Sequence, residues 1–210
     1  MTTVEPIRNK KDVEKVERYL EKQNKRDHLI FVFGTNSGLR ISDIVALNVG
    51  DVRGKNYVQI VEKKTGKTKK FPLNDKLKTL IADFVKNRRD KEPLFKSHWG
   101  RRYSRITAYY MIRNACADVG LEEKIGTHSM RKTFGYHHYK QFKDIAILQK
   151  IFNHSSQMIT MRYIGIEQDQ IDYSYNNFVL EPKHSLIKGL HYILNGLQNI
   201  QIVYFKTRKS

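Results

Sequence analysis

Apolar residues recur at helical spacing along most of this chain, and only two short stretches, YVQIV (57–61) and KKFPL (69–73), alternate like strands. The loop KTGKT between them reads as a hairpin. One small antiparallel sheet among many helices is not the βα alternation of a nucleotide-binding sheet, so the fold is expected to be mainly α with a small antiparallel β-sheet, an α+β class. From Asp12 to Gln23 the residues Val13, Val16, Tyr19 and Leu20 mark one helix, and LIFVFG before the turn TNSG marks a second. RISDIVALN repeats the pattern with Ile41, Ile44, Val45 and Leu47. Asn74 and Ser104 are suited to capping the helices that follow them, the second of which should stop at Gly120. HSMRKTFGYHHYK and DIAILQKIFNH continue the helical series. With 210 residues, no internal repeat and all four prolines between periodic segments, one compact unit is expected.

The charge narrows the partner. Lys and Arg number 39 against 21 Asp and Glu, a formal +18, which implies a polyanion and foremost nucleic acid. A membrane is the rival, but no run approaches the ~18–20 apolar residues of a spanning helix and the N-terminus has no apolar signal core, so a soluble, cytoplasmic protein is expected. Cys116 has no second cysteine to pair with and reads as a small buried hydrophobe. Residues 183–210 carry no acidic side chain, and Leu186, Leu190, Ile193, Leu194 and Leu197 form a stripe. That stripe suits docking on its own domain and on a second protomer equally well.

Five places hold polar residues that packing alone does not ask for. Arg40, in SGLRISD, opens an apolar-periodic helix, where backbone donors and a guanidinium together suit a phosphate, and Asp43 lies one turn on. The hairpin EKKTGKTKK, with Lys63, Lys64 and Lys67, suits a nucleic-acid backbone or a mobile acid, though such a tip is usually just solvated. In THSMRKTFG, His128 and Arg131 are three apart and share a helix face. His137 and His138 read as structural or DNA-facing. His154 and Tyr163 bound NHSSQMITMRY, nine residues apart. Taken singly, each has an ordinary reading: a surface ion pair, a satisfied polar histidine, a core tyrosine with its hydroxyl at the rim. Together they make a phosphate-binding set beside a nucleophile, without the clustered carboxylates of a metal nuclease.

These motifs resemble those of the tyrosine recombinases, the phage-integrase family, over residues from about 10 to 178. SGLRISD resembles the first arginine box, HSMRKTFG the His-x-x-Arg box and NHSSQMITMRY the last box, whose histidine precedes the nucleophilic tyrosine by nine residues. KTGKTKKFP resembles the hairpin carrying the catalytic lysine eight residues before a proline, which from Pro72 gives Lys64. Asn153 stands where glycine is usual, and Lys132, included here among the expected DNA contacts with Lys63 and Lys67, stands where many members have histidine.

The resemblance implies a catalytic domain at 1–180 with a basic tail at 181–210, and no core-binding domain within this chain. It implies a site-specific DNA recombinase or integrase acting on double-stranded DNA at a specific site, as a homotetramer on DNA, without metal, ATP or other cofactor. Tyr163 would attack a phosphodiester and hold the 3′ phosphate, with Arg40, Arg131 and His154 on the non-bridging oxygens, His128 as proton acceptor, Lys64 as proton donor to the 5′ oxygen and Asp43 in support. The rival readings are an inactive DNA-binding module and a type IB topoisomerase, which shares the chemistry but rejoins the same strand.

Overall fold

The protein, seen as a computed structural model, is described over residues 4–61, 66, 68–121 and 124–180. Helices α1 (Lys10–Gln23) and α2 (Lys25–Ser37) are separated by Asn24, whose side chain accepts from the Arg26 N–H and starts the second helix as the first ends. α1 is amphipathic, while α2 is buried nearly all round from His28 to Gly34, the pattern of a central helix. α1, α4 (Asp75–Phe84) and α6 (Thr127–Phe142) pack around it. α2 stops where Gly38 takes a left-handed φ of 62°, a conformation that a side chain would strain.

The expected helix over RISDIVALN is shorter than its apolar pattern suggests. α3 spans only Ile41–Ile44, and Leu47 leaves the helix because its carbonyl accepts from the Leu94 N–H at 2.8 Å while Asn48 bridges Pro93. Tertiary pairing overrides local periodicity here. After a single 3₁₀ turn at Val49–Asp51, β1 (Tyr57–Val61) and β2 (Thr68–Pro72) pair antiparallel with Val58 opposite Phe71 and Ile60 opposite Lys69. They form a two-stranded sheet among the described residues. Its inward residue Phe71 meets Phe33 of α2 edge-on, with ring centroids 6.3 Å apart, which fixes the hairpin on the central helix.

The expected caps are present. Asn74 accepts from the Leu77 N–H and Ser104 from the Thr107 N–H, each at 2.9 Å, and α5 (Arg105–Asp118) ends before Gly120. α6, α7 (Ile145–Phe152), α8 (Gln157–Ile164) and the start of α9 (Ile166–Asn177) gather a second apolar cluster of Tyr136, Leu148, Phe152, Ile164 and Ile166 beside the main core. Cys116 is buried in the main core. Ahead of α1, Ile7 donates its N–H to Thr133 Oγ1 and accepts from His137 Nε2 at 3.0 Å, and Arg8 reaches Asp169. Tyr136 donates to the same Asp169, and burial together with that bond pushes its phenol up to about 12.

Residues 1–169 form one compact unit, and a second begins at Gln170 within α9. No described helix is long and apolar enough to cross a membrane. The apolar stripe expected over 183–210 and the loop lysines Lys63, Lys64 and Lys67 lie outside the described residues.

Candidate active site

Gly38, left-handed at the end of α2, sets the course of the chain into Arg40, which occupies the N-cap position of α3 with extended backbone angles. With only four residues, α3 has little dipole to offer, so Arg40 brings chiefly its own guanidinium. Asp43 of the same helix is 3% exposed and accepts from Ser42 Oγ at 3.4 Å. Arg40 lines an open cleft of ≈ 740 Å³ together with His128 from the first turn of α6 and with Arg102, Tyr103, Ser104 and Arg105.

One turn beyond His128, Arg131 is 2% exposed. Its guanidinium donates to the carbonyls of Gly38 and Phe152, the second at 2.9 Å, and stands 4.2 Å from the centroid of the Phe152 ring. Its charge also acts on the Tyr163 phenol, favouring the ionised form. One buried cation thus joins the turn before Arg40, the end of α7 and the tyrosine of α8.

Between α7 and α8 the chain turns at Asn153, whose φ of 53° and ψ of 46° are left-handed. Glycine and asparagine are the residues that tolerate this conformation, so Asn153 supplies the same turn as the glycine usual at that place. The turn brings the His154 ring to 5.1 Å from the Tyr163 ring at 74° and packs it beside Phe152. His154 Nδ1 lies 3.1 Å from Thr160 Oγ1, and that hydroxyl donates to the Ser156 carbonyl at 3.1 Å. Thr160 therefore accepts from the imidazole, which assigns the proton to Nδ1 and leaves Nε2 to face away from Thr160. Nε2 can donate to an anion only from the doubly protonated ring.

Tyr163 is half-buried, its ring edge-on to Phe152 with centroids 5.6 Å apart. Desolvation by burial raises its phenol above the ordinary value, while the Arg131 charge and hydrogen bond and the Arg40 charge act the other way. The Tyr163 ring packs against the second apolar cluster, the placement expected of a core tyrosine, while the Arg131 and Arg40 charges act on its phenol. Lys132, expected among the DNA contacts, is instead buried, with Nζ 5.3 Å from the centroid of the Tyr163 ring. Burial lowers its pKa. Lys132 lies on the side of α6 that α8 covers, so it packs against Tyr163 and not toward solvent.

His137 and His138 are structural among the described contacts. The first holds the Ile7 carbonyl and the second lies between Phe134 and Phe142. The hairpin stem is tied to this region by Lys69 Nζ, which donates to the Ile151 carbonyl at 2.8 Å. Three contributors escaped the sequence reading. Thr160, buried within QMITMRY, orients His154; Phe152 stacks on Arg131, His154 and Tyr163; and Gly135 lets α6 approach α7 and α8. Gly135, in the middle of an otherwise regular helix, was the one carrying a local signal. Among the described residues no three His, Cys, Asp or Glu side chains converge as metal ligands.

The model of the phage integrase family matches residues 9–169. A probable integrase/recombinase, YoeC of Bacillus subtilis (strain 168), is 50% identical over 179 residues, covering 85% of this chain and 98% of its own. Against tyrosine recombinases named XerC, by contrast, the chain spans about half of the relative's length. The crystal structure of XerA recombinase superposes with a TM-score of 0.67 at 18% identity over 83% of this chain and 66% of that one. A XerH site-specific recombinase, in a post-cleavage complex with palindromic difH substrate, gives 0.64 at 17% identity over 84% and 54%. The fold of the described residues is that of a tyrosine recombinase catalytic domain, and with boxes in order, a matching family model and a half-identical relative, the chain belongs to the phage integrase family.

Proposed function

We propose that the chain breaks and rejoins DNA strands at a specific site through a 3′-phosphotyrosine intermediate. The observation that carries this is Arg131, whose buried guanidinium holds the Gly38 and Phe152 carbonyls at once and acts on the Tyr163 phenol, so that three separate motifs meet around one cation. The Tyr163 oxygen attacks the phosphorus, an O–P bond forms, and the bond to the 5′ oxygen breaks. A free tyrosine titrates at about 10 and burial raises this one further, so it must lose its proton during attack; His128 is the acceptor. Arg40 and Arg131 oppose the charge that gathers on the non-bridging oxygens, and His154 adds a bond there through Nε2 in its protonated form. Lys64 delivers the proton to the departing 5′ oxygen.

Because the phosphodiester energy is kept in the phosphotyrosine, neither ATP nor a metal ion enters the scheme, and a 5′ hydroxyl from another duplex completes exchange by the reverse step. Four copies on paired sites are the proposed assembly, with Lys63 and Lys67 on the DNA backbone. The +18 charge supports a DNA partner and predicts binding that weakens steeply with salt. The test is a nicked suicide duplex incubated in EDTA with wild type and Tyr163→Phe and run on a denaturing gel. A covalent protein–DNA band with wild type alone supports the reading, and cleavage by the phenylalanine variant refutes it.

A further inference from the structure

The single tryptophan of the chain, Trp99, is 82% exposed at the tip of a turn that is firmly built. Ser97 donates its N–H to the Arg101 carbonyl at 2.7 Å, Gly100 donates back to Ser97, and Lys96 bridges Arg102 below them. At the base, buried Phe95 accepts from the Tyr103 N–H at 2.9 Å. Two arginines fasten this stem from outside. Arg26 of α2 donates to the Lys96 carbonyl at 3.0 Å and lies 4.2 Å over the Tyr103 ring. Arg102 donates to the carbonyls of Val45, Ala46 and Leu47 and to Asn48 Oδ1, so the turn is bolted to the segment that follows α3.

An exposed aromatic residue on its own needs no explanation. This one sits on a rigid projection, and three residues further the same chain lines the cleft of Arg40 and His128 with Arg102, Tyr103, Ser104 and Arg105. From Leu94 to Ala117 the chain has five Lys and Arg (Lys96, Arg101, Arg102, Arg105, Arg113) and no Asp or Glu. Lys96 pairs with Glu92 and Arg102 is tied to the segment after α3, but Arg101, Arg105 and Arg113 are exposed, so the surroundings suit a polyanion better than an apolar partner. An indole gives such a partner two things: a flat apolar face for deoxyribose or an unstacked base, and an Nε1–H donor for a phosphate oxygen.

We propose that Trp99 is a DNA-contacting residue that packs on the strand beside the scissile phosphate, independently of base sequence. The proposal rests on the DNA-recombinase reading of the adjoining cleft. The turn is fixed before DNA arrives, so little ordering is lost when the contact forms.

The chain's only indole reports on itself. Wild-type protein is titrated with a fluorophore-labelled duplex at low salt, reading anisotropy for binding and acrylamide quenching of the tryptophan for contact. At saturation the quenching slope is expected to fall by about three-fold or more, and Trp99→Ala should weaken binding roughly ten-fold, as loss of one aromatic platform does. The slope of affinity against salt should not change in Trp99→Ala, because no cation is removed, whereas Arg101→Ala should lower it by about one. Trp99→Phe should retain most of the affinity. Saturated anisotropy with unaltered quenching overturns this contact alone. No anisotropy change with wild type overturns the DNA-binding reading and the contact with it.

Discussion

A methyl group placed on Gly135 tests whether the geometry of the site depends on how closely α6 approaches α8. In Gly135→Ala the new Cβ would stand 2.6 Å from Ile164 Cγ2 and 2.7 Å from two carbons of the Phe152 ring, where ordinary contact begins at 3.4 Å. Ile164 adjoins Tyr163, and Phe152 carries the stacking of Arg131, His154 and Tyr163. The neighbours must retreat by about 0.8 Å, and nothing flexible is available to yield, since both are buried in the second apolar cluster. Overpacking of this kind costs about 1–3 kcal/mol, offset by about 1 kcal/mol from the better helix propensity of alanine. The net loss is then at most about 2 kcal/mol, a fall in Tm of no more than ~8 °C for a domain of this size. A displacement near 1 Å at the nucleophile, however, lowers a rate by as much as ~10²-fold. Single-turnover formation of the covalent adduct, measured well below Tm, should therefore slow by about 10- to 100-fold in a protein that calorimetry finds folded. An adduct rate within about three-fold of wild type would show that the close approach of α6 to α8 does not set the position of the nucleophile, and a collapse of Tm large enough to account for the loss would place the effect in stability instead.

Arg131→Ala removes the donor for two buried carbonyls as well as a charge, so it should lower Tm by ~5 °C or more in addition to reducing adduct formation by ~10²–10³-fold. Arg131→Lys should fail similarly, because one ammonium cannot reproduce the fork that spans both carbonyls, and calorimetry with single-turnover assays reads both effects. Lys64→Ala should slow cleavage by ~10²–10⁴-fold on an ordinary phosphodiester, yet cleave near the wild-type rate when sulfur replaces the bridging 5′ oxygen, because a thiolate leaves without a proton. Equal defects on both substrates would remove Lys64 from the general-acid role. His137 and His138 both have pKa values lowered by burial, opposed by the Ile7 carbonyl bond and by Asp144 respectively. Folding therefore favours their neutral forms, so their contribution is present above the ordinary histidine value of about 6.5 and is lost as pH falls through the folded values. Tm should decline from pH 7 toward pH 5, less steeply in His138→Phe, and parallel declines in calorimetry would contradict this.

The elements with a strong local code could be read directly from the sequence. Asn74 and Ser104 cap helices because their oxygens meet a backbone N–H three residues on, and the apolar run LIFVFG marked α2 as a helix. Arg40, Arg131, His154 and Tyr163 stood out as polar residues that packing did not ask for and by the resemblance of their motifs to the family's boxes, and the structure gathers Gly38, Phe152 and Tyr163 around Arg131 and sets Arg40 in a cleft with His128. What escaped depended on partners far along the chain. RISDIVALN looks helical throughout, but Leu94 captures Leu47 and Arg102 captures the carbonyls of Val45 to Leu47, a pairing across more than forty residues that no local pattern records. Lys132 looks like a surface cation until α8 covers it with Tyr163. Asn153 was a departure from the usual glycine, and its left-handed backbone shows why the two are equivalent there.

On the proposed function, the Tyr163 hydroxyl becomes joined to DNA. The most direct measurement is to digest the trapped protein–DNA adduct with protease and nuclease and to locate the modified residue by tandem mass spectrometry. A nucleotide 3′-phosphate is expected on the tyrosine of the peptide containing ITMRY, and attachment at any other residue would exclude Tyr163 as the nucleophile.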